Sequence, residues 1–165
     1  MSTNRPIPTS KHLSYAQGFI ELGLLEDAAN ELEKVAFEDR LTAPVLLARL
    51  ELYMAAKQWD MVEAMAKPLV KIPNVDEGVW IHWAYAVRRL RGVAEAKDIL
   101  LKAESTHGKT CGVLQFNLAC YECVLGNLEE ARQRLRKACK LDKRFKVAAL
   151  DESDLKGLWE EIAAE

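Results

Sequence analysis

Four cysteines, three histidines and one strongly basic stretch are the groups in this 165-residue sequence whose types and spacing could do chemistry. Cys120 and Cys123 form a C-x-x-C pair within NLACYECVLGNLEEARQRLRKACKLD (Asn117 to Asp142), with Cys139 downstream and Cys111 upstream. A structural zinc site needs four ligands converging from a knuckle or loop, and a redox C-x-x-C usually sits at a helix N-terminus, where the dipole lowers the thiol pKa. Apolar spacing places Cys120 and Cys123 in mid-helix instead, so they read as small thiols facing a core or a groove. The segment AESTHGKT (Ala103 to Thr110), with Ala in the first glycine slot, fits a permissive phosphate-binding loop, and VAALDE (Val147 to Glu152) mimics a strand ending in an acid. Phosphate binding requires a strand, a glycine-rich loop and then a helix, so that backbone amides wrap the anion. Here the loop has one glycine and Ala103 falls near a helix end, so the letters read as a linker between helix pairs. His12, His82 and His107 are scattered, and none accompanies a Ser or Cys in a recognisable nucleophile setting. The expectation is a non-enzymatic chain with no cofactor and no metal.

Charge is uneven although the net value is only -2. Glu21 to Asp39 holds seven acids against Lys34, and Arg132 to Lys146 holds eight bases against Asp142. Arg132, Arg136 and Lys140 share one helical face, with Arg134 and Lys137 beside it. Nucleic-acid binding would want interleaved aromatics or a basic domain, and Phe145 alone supplies neither. The run therefore reads as a solvated outer face, with self-association through the acidic stretch of another copy left open. Half the residues are hydrophobic, enough for a sizeable core without disulfides. The polar start MSTNRPIPTSKH has no apolar signal stretch, and no apolar run approaches the roughly 18 residues of a membrane span. A soluble cytoplasmic protein with reduced thiols is expected.

The elements that carry these groups repeat. Gly23, Lys57, Arg91 and Gly126 each end an amphipathic run, at steps of 34, 34 and 35 residues. Five residues after each marker stand Ala28, Val62, Ala96 and Ala131, and seven before stand Ala16, Leu50, Ala84 and Ala119. Apolar residues at i, i+3, i+4 and i+7 spacing predict helix pairs: Lys11 to Leu22 with Glu26 to Phe37, Pro44 to Ala56 with Trp59 to Ile72, Glu77 to Leu90 with Ala94 to Ala103, and a fourth pair split at Gly126-Asn127. Thr42 before Ala43-Pro44 is a sound helix start, because proline in a first turn gives up only an unpartnered amide. Pro68 should kink its helix or end it early.

With its period, W-I-H-W-A (Trp80 to Ala84) followed by Glu95-Ala96, and N-L-A-C-Y (Asn117 to Tyr121) followed by L-G-N-L-E-E-A (Leu125 to Ala131) and Lys137-Ala138, the chain resembles the tetratricopeptide repeat (TPR) family. The second pair departs most, with Arg49 and Leu50 where the pattern wants Leu and a small residue. Together with the terminal L-D-x-x-D-L-x-x-L-W-x-x-I (Leu150 to Ile162), these motifs are similar to those of small bacterial TPR proteins. The resemblance implies an all-α fold: a right-handed α-α superhelix of four helix-turn-helix repeats, about 9–42, 43–76, 77–111 and 112–145. A mobile tail over residues 1–8 precedes it, and a linker and capping helix over 146–165 follow, with Leu155, Leu158, Trp159 and Ile162 on one face. It also implies a concave groove lined by the first helix of each repeat: Leu13, Gln17 and Ile20; Leu47, Glu51 and Met54; Ile81, Tyr85 and Arg88; Phe116, Cys120 and Cys123. Only Glu51 and Arg88 in that stripe carry charge. So apolar an open surface suggests a binding site, unless neighbouring side chains or the protein's own tail fill it. The Lys and Asn or Arg residues by which chaperone-binding relatives grip a terminal carboxylate are mostly missing. The function expected is a protein-protein adaptor holding a partner helix or extended segment in the groove, with a chaperone resembling the small TPR chaperones of bacterial secretion as the alternative. Tyr85, Arg88 and Phe116 are its central residues, and an acid beside an apolar residue in the partner would satisfy them.

Overall fold

The computed structural model describes residues 7–164, and within them every regular element is helical. The expected tail thus lies outside the described residues, except for Ile7 and Pro8; Pro8 is the residue before the first helix. No helix among the described residues is long and apolar enough to cross a membrane.

The chain divides into two compact units, Met1–Val75 and Asp76–Glu165. The first holds α1 (Thr9–Glu21), α2 (Leu25–Glu33), a short 3-10 turn at Phe37–Asp39, α3 (Ala43–Ala55) and α4 (Trp59–Leu69). Here α1 packs on α2 and α3, and α3 packs on α4. The second holds α5 (Glu77–Arg91), α6 (Val93–His107), α7 (Gly112–Val124), α8 (Leu128–Leu141), α9 (Arg144–Asp151), a 3-10 segment Ser153–Leu158 and α10 (Trp159–Ala164). In this unit α5 pairs with α6 and α7 with α8, α6 joins the two pairs, and the 3-10 segment lies mainly on α7.

Small residues set the close helix approaches. Ala16, Ala28, Val62, Ala84, Ala96, Ala119 and Ala131 have no solvent exposure and Leu50 has 1%. Removing that apolar surface from water contributes roughly 25 cal/mol per Å². The second unit's core continues through Leu100, Leu114, Leu118 and Tyr121 to Leu155, Leu158 and Ile162.

The turns inside the pairs are closed by the backbone. Gly23, Lys57 and Gly126 adopt left-handed φ values of 74°, 56° and 84°. The following amides of Leu24, Gln58 and Asn127 then donate to the carbonyls of Phe19, Tyr53 and Glu122, at 2.8, 2.9 and 2.9 Å. This is the helix-ending hydrogen-bond pattern that recaptures orphan carbonyls and favours glycine at the left-handed position. At the third pair the left-handed residue is Gly92, φ 105°, one place after the expected Arg91. Gly92 ends α5 and starts α6 by itself, so the turn is two residues shorter than the other three.

Other boundaries depart from the sequence pattern for local reasons. α2 stops at Glu33 rather than Phe37, because Arg40 donates to the Glu33 and Val35 carbonyls at 2.9 and 3.2 Å and so replaces the next helical turn. α4 ends at Leu69, one residue beyond Pro68. Pro68 has no amide hydrogen to continue the ladder. α6 runs on to His107, so AESTH is helix and no strand precedes Gly108. Residues 146–151, expected as a linker, form α9 together with 144–145 of the expected fourth repeat, and the segment after it is a 3-10 run followed by α10 rather than one helix.

Candidate functional site

The residues of the expected groove fall in both units. In the first, Leu13 and Ile20 pack partly buried against Ala16, Ala28, Leu32 and Leu52. Gln17 is exposed and donates to Glu21 at 3.2 Å. Leu47 and Met54 are half-buried, while Glu51 is exposed. Partial burial, and then the charge of Glu21, push the Glu51 carboxyl above its ordinary value.

In the second unit α5 contributes Ile81, Tyr85 and Arg88, and α7 contributes Phe116, Cys120 and Cys123. Ile81 and Phe116 pack against the core, and Phe116 also stacks on Phe145 of α9 with ring centroids 5.1 Å apart. Cys120 and Cys123 are 4% and 9% exposed and form part of that core. Tyr85 stays 36% exposed, with the Arg89 guanidinium 5.3 Å from its ring centre and 3.0 Å from its hydroxyl.

Arg88 has its acid within the chain. Its guanidinium grips Asp154 through both Nη atoms, one at 2.9 Å, and lies over the Tyr121 ring at 5.5 Å. That bond to Asp154 raises the guanidinium pKa further, fixing the charge. Burial pushes the Tyr121 hydroxyl up to about 12, so it stays neutral. Asp154, Tyr121 and Arg89 went unnoticed in the sequence; the only hint was that the tail could fill the groove. The two arginines, Tyr85, Phe116, Asn117 and residues 152–154 line a cavity of about 270 Å³.

None of the candidate chemistries gathers further groups. Among the described residues no three His, Cys, Asp or Glu side chains stand together as a metal site, and no disulfide joins the four cysteines. Burial raises the thiol pKa values of Cys111, Cys120 and Cys123, the opposite of an activated nucleophile. His12 is used structurally: its Nδ1–H donates to Glu31 at 2.6 Å, and both residues are 6% exposed. The basic stretch divides. Arg132 sits between Glu129 and Glu161, and Arg136 and Lys140 are exposed. Arg134, read as part of the outer face, is instead 7% exposed and donates to Glu104 and to buried Gln115 at 2.8 and 3.3 Å. Burial would raise the Glu104 carboxyl, but those bonds outweigh it and hold it below its ordinary value. Comparison with family models, curated proteins and solved structures gives no match for this chain.

Proposed function

We propose that the helix pairs are tetratricopeptide-type repeats and that the protein is a non-enzymatic adaptor, taking a peptide segment of a partner on its first-helix faces. The observation that carries this reading is the α5–α7 face, where Tyr85, Arg88, Arg89 and Phe116 surround an open cavity. Tyr and Arg are the side chains that anchor protein interfaces, because each combines apolar area with a donor. The buried, unactivated thiols and the helical course of Ala103 to His107 agree with a role that needs surface rather than chemistry.

Affinity capture from the native host supplies the partner for the test. Tyr85→Ala is the cleanest variant, because Tyr85 stands at the surface whereas Phe116 also supports Phe145. Truncating an interface anchor costs about 1–3 kcal/mol, so a roughly 5- to 150-fold loss of affinity is expected. A normally folded Tyr85→Ala protein that binds the captured partner with wild-type affinity would refute the assignment.

A further inference from the structure

The segment after α9 presents to α5 and α7 the chemistry they would ask of a ligand. Asp154 fills the fork of Arg88, the next residue, Leu155, is fully buried, and Leu158 is 1% exposed. At Gly157 the chain runs so close that an added Cβ would lie 3.3 Å from Leu128 and 3.5 Å from the Cys123 sulfur. An acid, an adjacent leucine and a second leucine three places on thus dock against two helices.

The fit is incomplete on one side. Arg89 donates to the Tyr85 hydroxyl and has no carboxylate partner among the described residues, and the cavity beside it stays open next to Glu152 and Ser153. Glu152, the acid that precedes Asp154 in the resident segment, accepts from the Asp154 amide at 3.2 Å instead, so a ligand whose preceding acid reaches Arg89 would make an ion pair that the resident segment does not.

We propose that residues 152–158 are a displaceable strap, occupying in cis a docking site for a partner segment of the pattern acid-Leu-x-x-Leu with a further acid preceding it. This rests on the adaptor reading and names its partner chemistry and its regulation. The strap holds the site by tethering, which gives it an effective concentration on the order of mM. A partner displaces it through the additional ion pair at Arg89, and a strap released in this way uncovers Leu155 and Leu158.

The probe is a fluorescein-labelled peptide of residues 151–162, titrated by anisotropy into the full chain. Wild type is expected to take it up weakly, because its own strap competes. Asp154→Asn weakens only the resident strap and should take up the peptide at least ~10-fold more tightly, the effect of losing one charged contact from the competitor. Adding Arg88→Gln, or using the peptide carrying Asp154→Asn, should abolish that gain. Native-state hydrogen exchange on wild type needs no variant: the amides of residues 153–158 should exchange at least ~100-fold faster than the slowest of α7, by local opening. The proposal is overturned if folded Asp154→Asn takes up no peptide, or if the strap amides exchange only as slowly as the slowest of α7. A dimer of Asp154→Asn that excludes the peptide also overturns it, in favour of strap exchange between copies. Should the strap fail while Tyr85→Ala still releases the captured partner, the adaptor reading stands; wild-type partner affinity in Tyr85→Ala removes that reading whatever the strap does.

Discussion

Replacing Glu31 with Gln tests whether the first helix pair is held by a buried charge. Glu31 of α2 receives the His12 Nδ1–H of α1 at 2.6 Å and the Lys34 ammonium at 2.6 Å. Hydrogen bonds to charged groups contribute about 1.5–3 kcal/mol and neutral ones about 1, so the His12 bond weakens by roughly 0.5–2 kcal/mol when the acceptor becomes an amide. The Lys34 side chain is 60% exposed, and screening limits its bond to a few tenths of a kcal/mol. Glu31→Gln should therefore cost about 1–2 kcal/mol at neutral pH, a factor of roughly 5–30 in the protection of α1 and α2 amides against hydrogen exchange. The pH dependence has a fixed sign. Lys34 first and His12 second hold the Glu31 carboxyl below its ordinary 4.5. The stabilisation is therefore fully present above that value and is lost as pH falls through the folded one. Wild type and variant should differ at pH 7 and converge as pH falls through the lowered Glu31 value. Wild-type protection in the variant at pH 7, or a deficit that persists at low pH, would refute the reasoning.

Three further outcomes follow from the same geometry. Ending the chain at Leu150 removes Leu155, Leu158 and Ile162, each 7% exposed or less, at about 1.5–3 kcal/mol for each buried side chain, so the melting temperature should fall and dye binding to apolar surface should rise. An unchanged melt would contradict the burial described. Lys57→Gly relieves a left-handed residue, φ 56°, at a turn position where Gly23 and Gly126 stand elsewhere, and should stabilise by roughly 0.5–1 kcal/mol in urea unfolding. Iodoacetamide at mildly alkaline pH should alkylate half-buried Cys139 well before Cys120, whose thiol burial pushes far up; peptide mapping that finds equal rates would count against it.

What could be read from the sequence was what depends on near neighbours. The positions of Gly23 and Gly126 were legible because a helix end needs a residue tolerant of positive φ, that of Lys57 came from its 34-residue step after Gly23, and the residues five after and seven before each marker proved buried. The marker at Arg91 missed by one, because periodicity alone does not separate Arg91 from Gly92 while the backbone does: only glycine takes φ 105° at no steric cost. Charge was misread wherever its partner lies far away in the chain. Arg134 counts as an outer base on a helical wheel until Glu104 and Gln115, contributed by α6 and α7, close over it. Glu31 belongs by composition to an acidic surface run, yet His12 lets it be buried. The acid for Arg88 lies 66 residues downstream, where no local pattern links the two.

The left-handed turns also govern which lengths of chain can be gained or lost. Because the caps at 23, 57 and 126 are made by backbone amides reaching five residues back, they ask nothing of the neighbouring helices' side chains. An in-frame duplication or deletion running from one turn to the equivalent point of the next carries a whole cap with it and leaves no carbonyl exposed. A change of any other length inside a pair separates a helix end from its closing amide and rotates the apolar stripe by about 100° per residue, away from the core. Length variation in this protein should come in whole turn-to-turn intervals, or else gather between pairs, in the parts of residues 34–42 and 70–76 that lie outside the Arg40 bonds to α2, left-handed Asn74 and the Asp76 cap of α5.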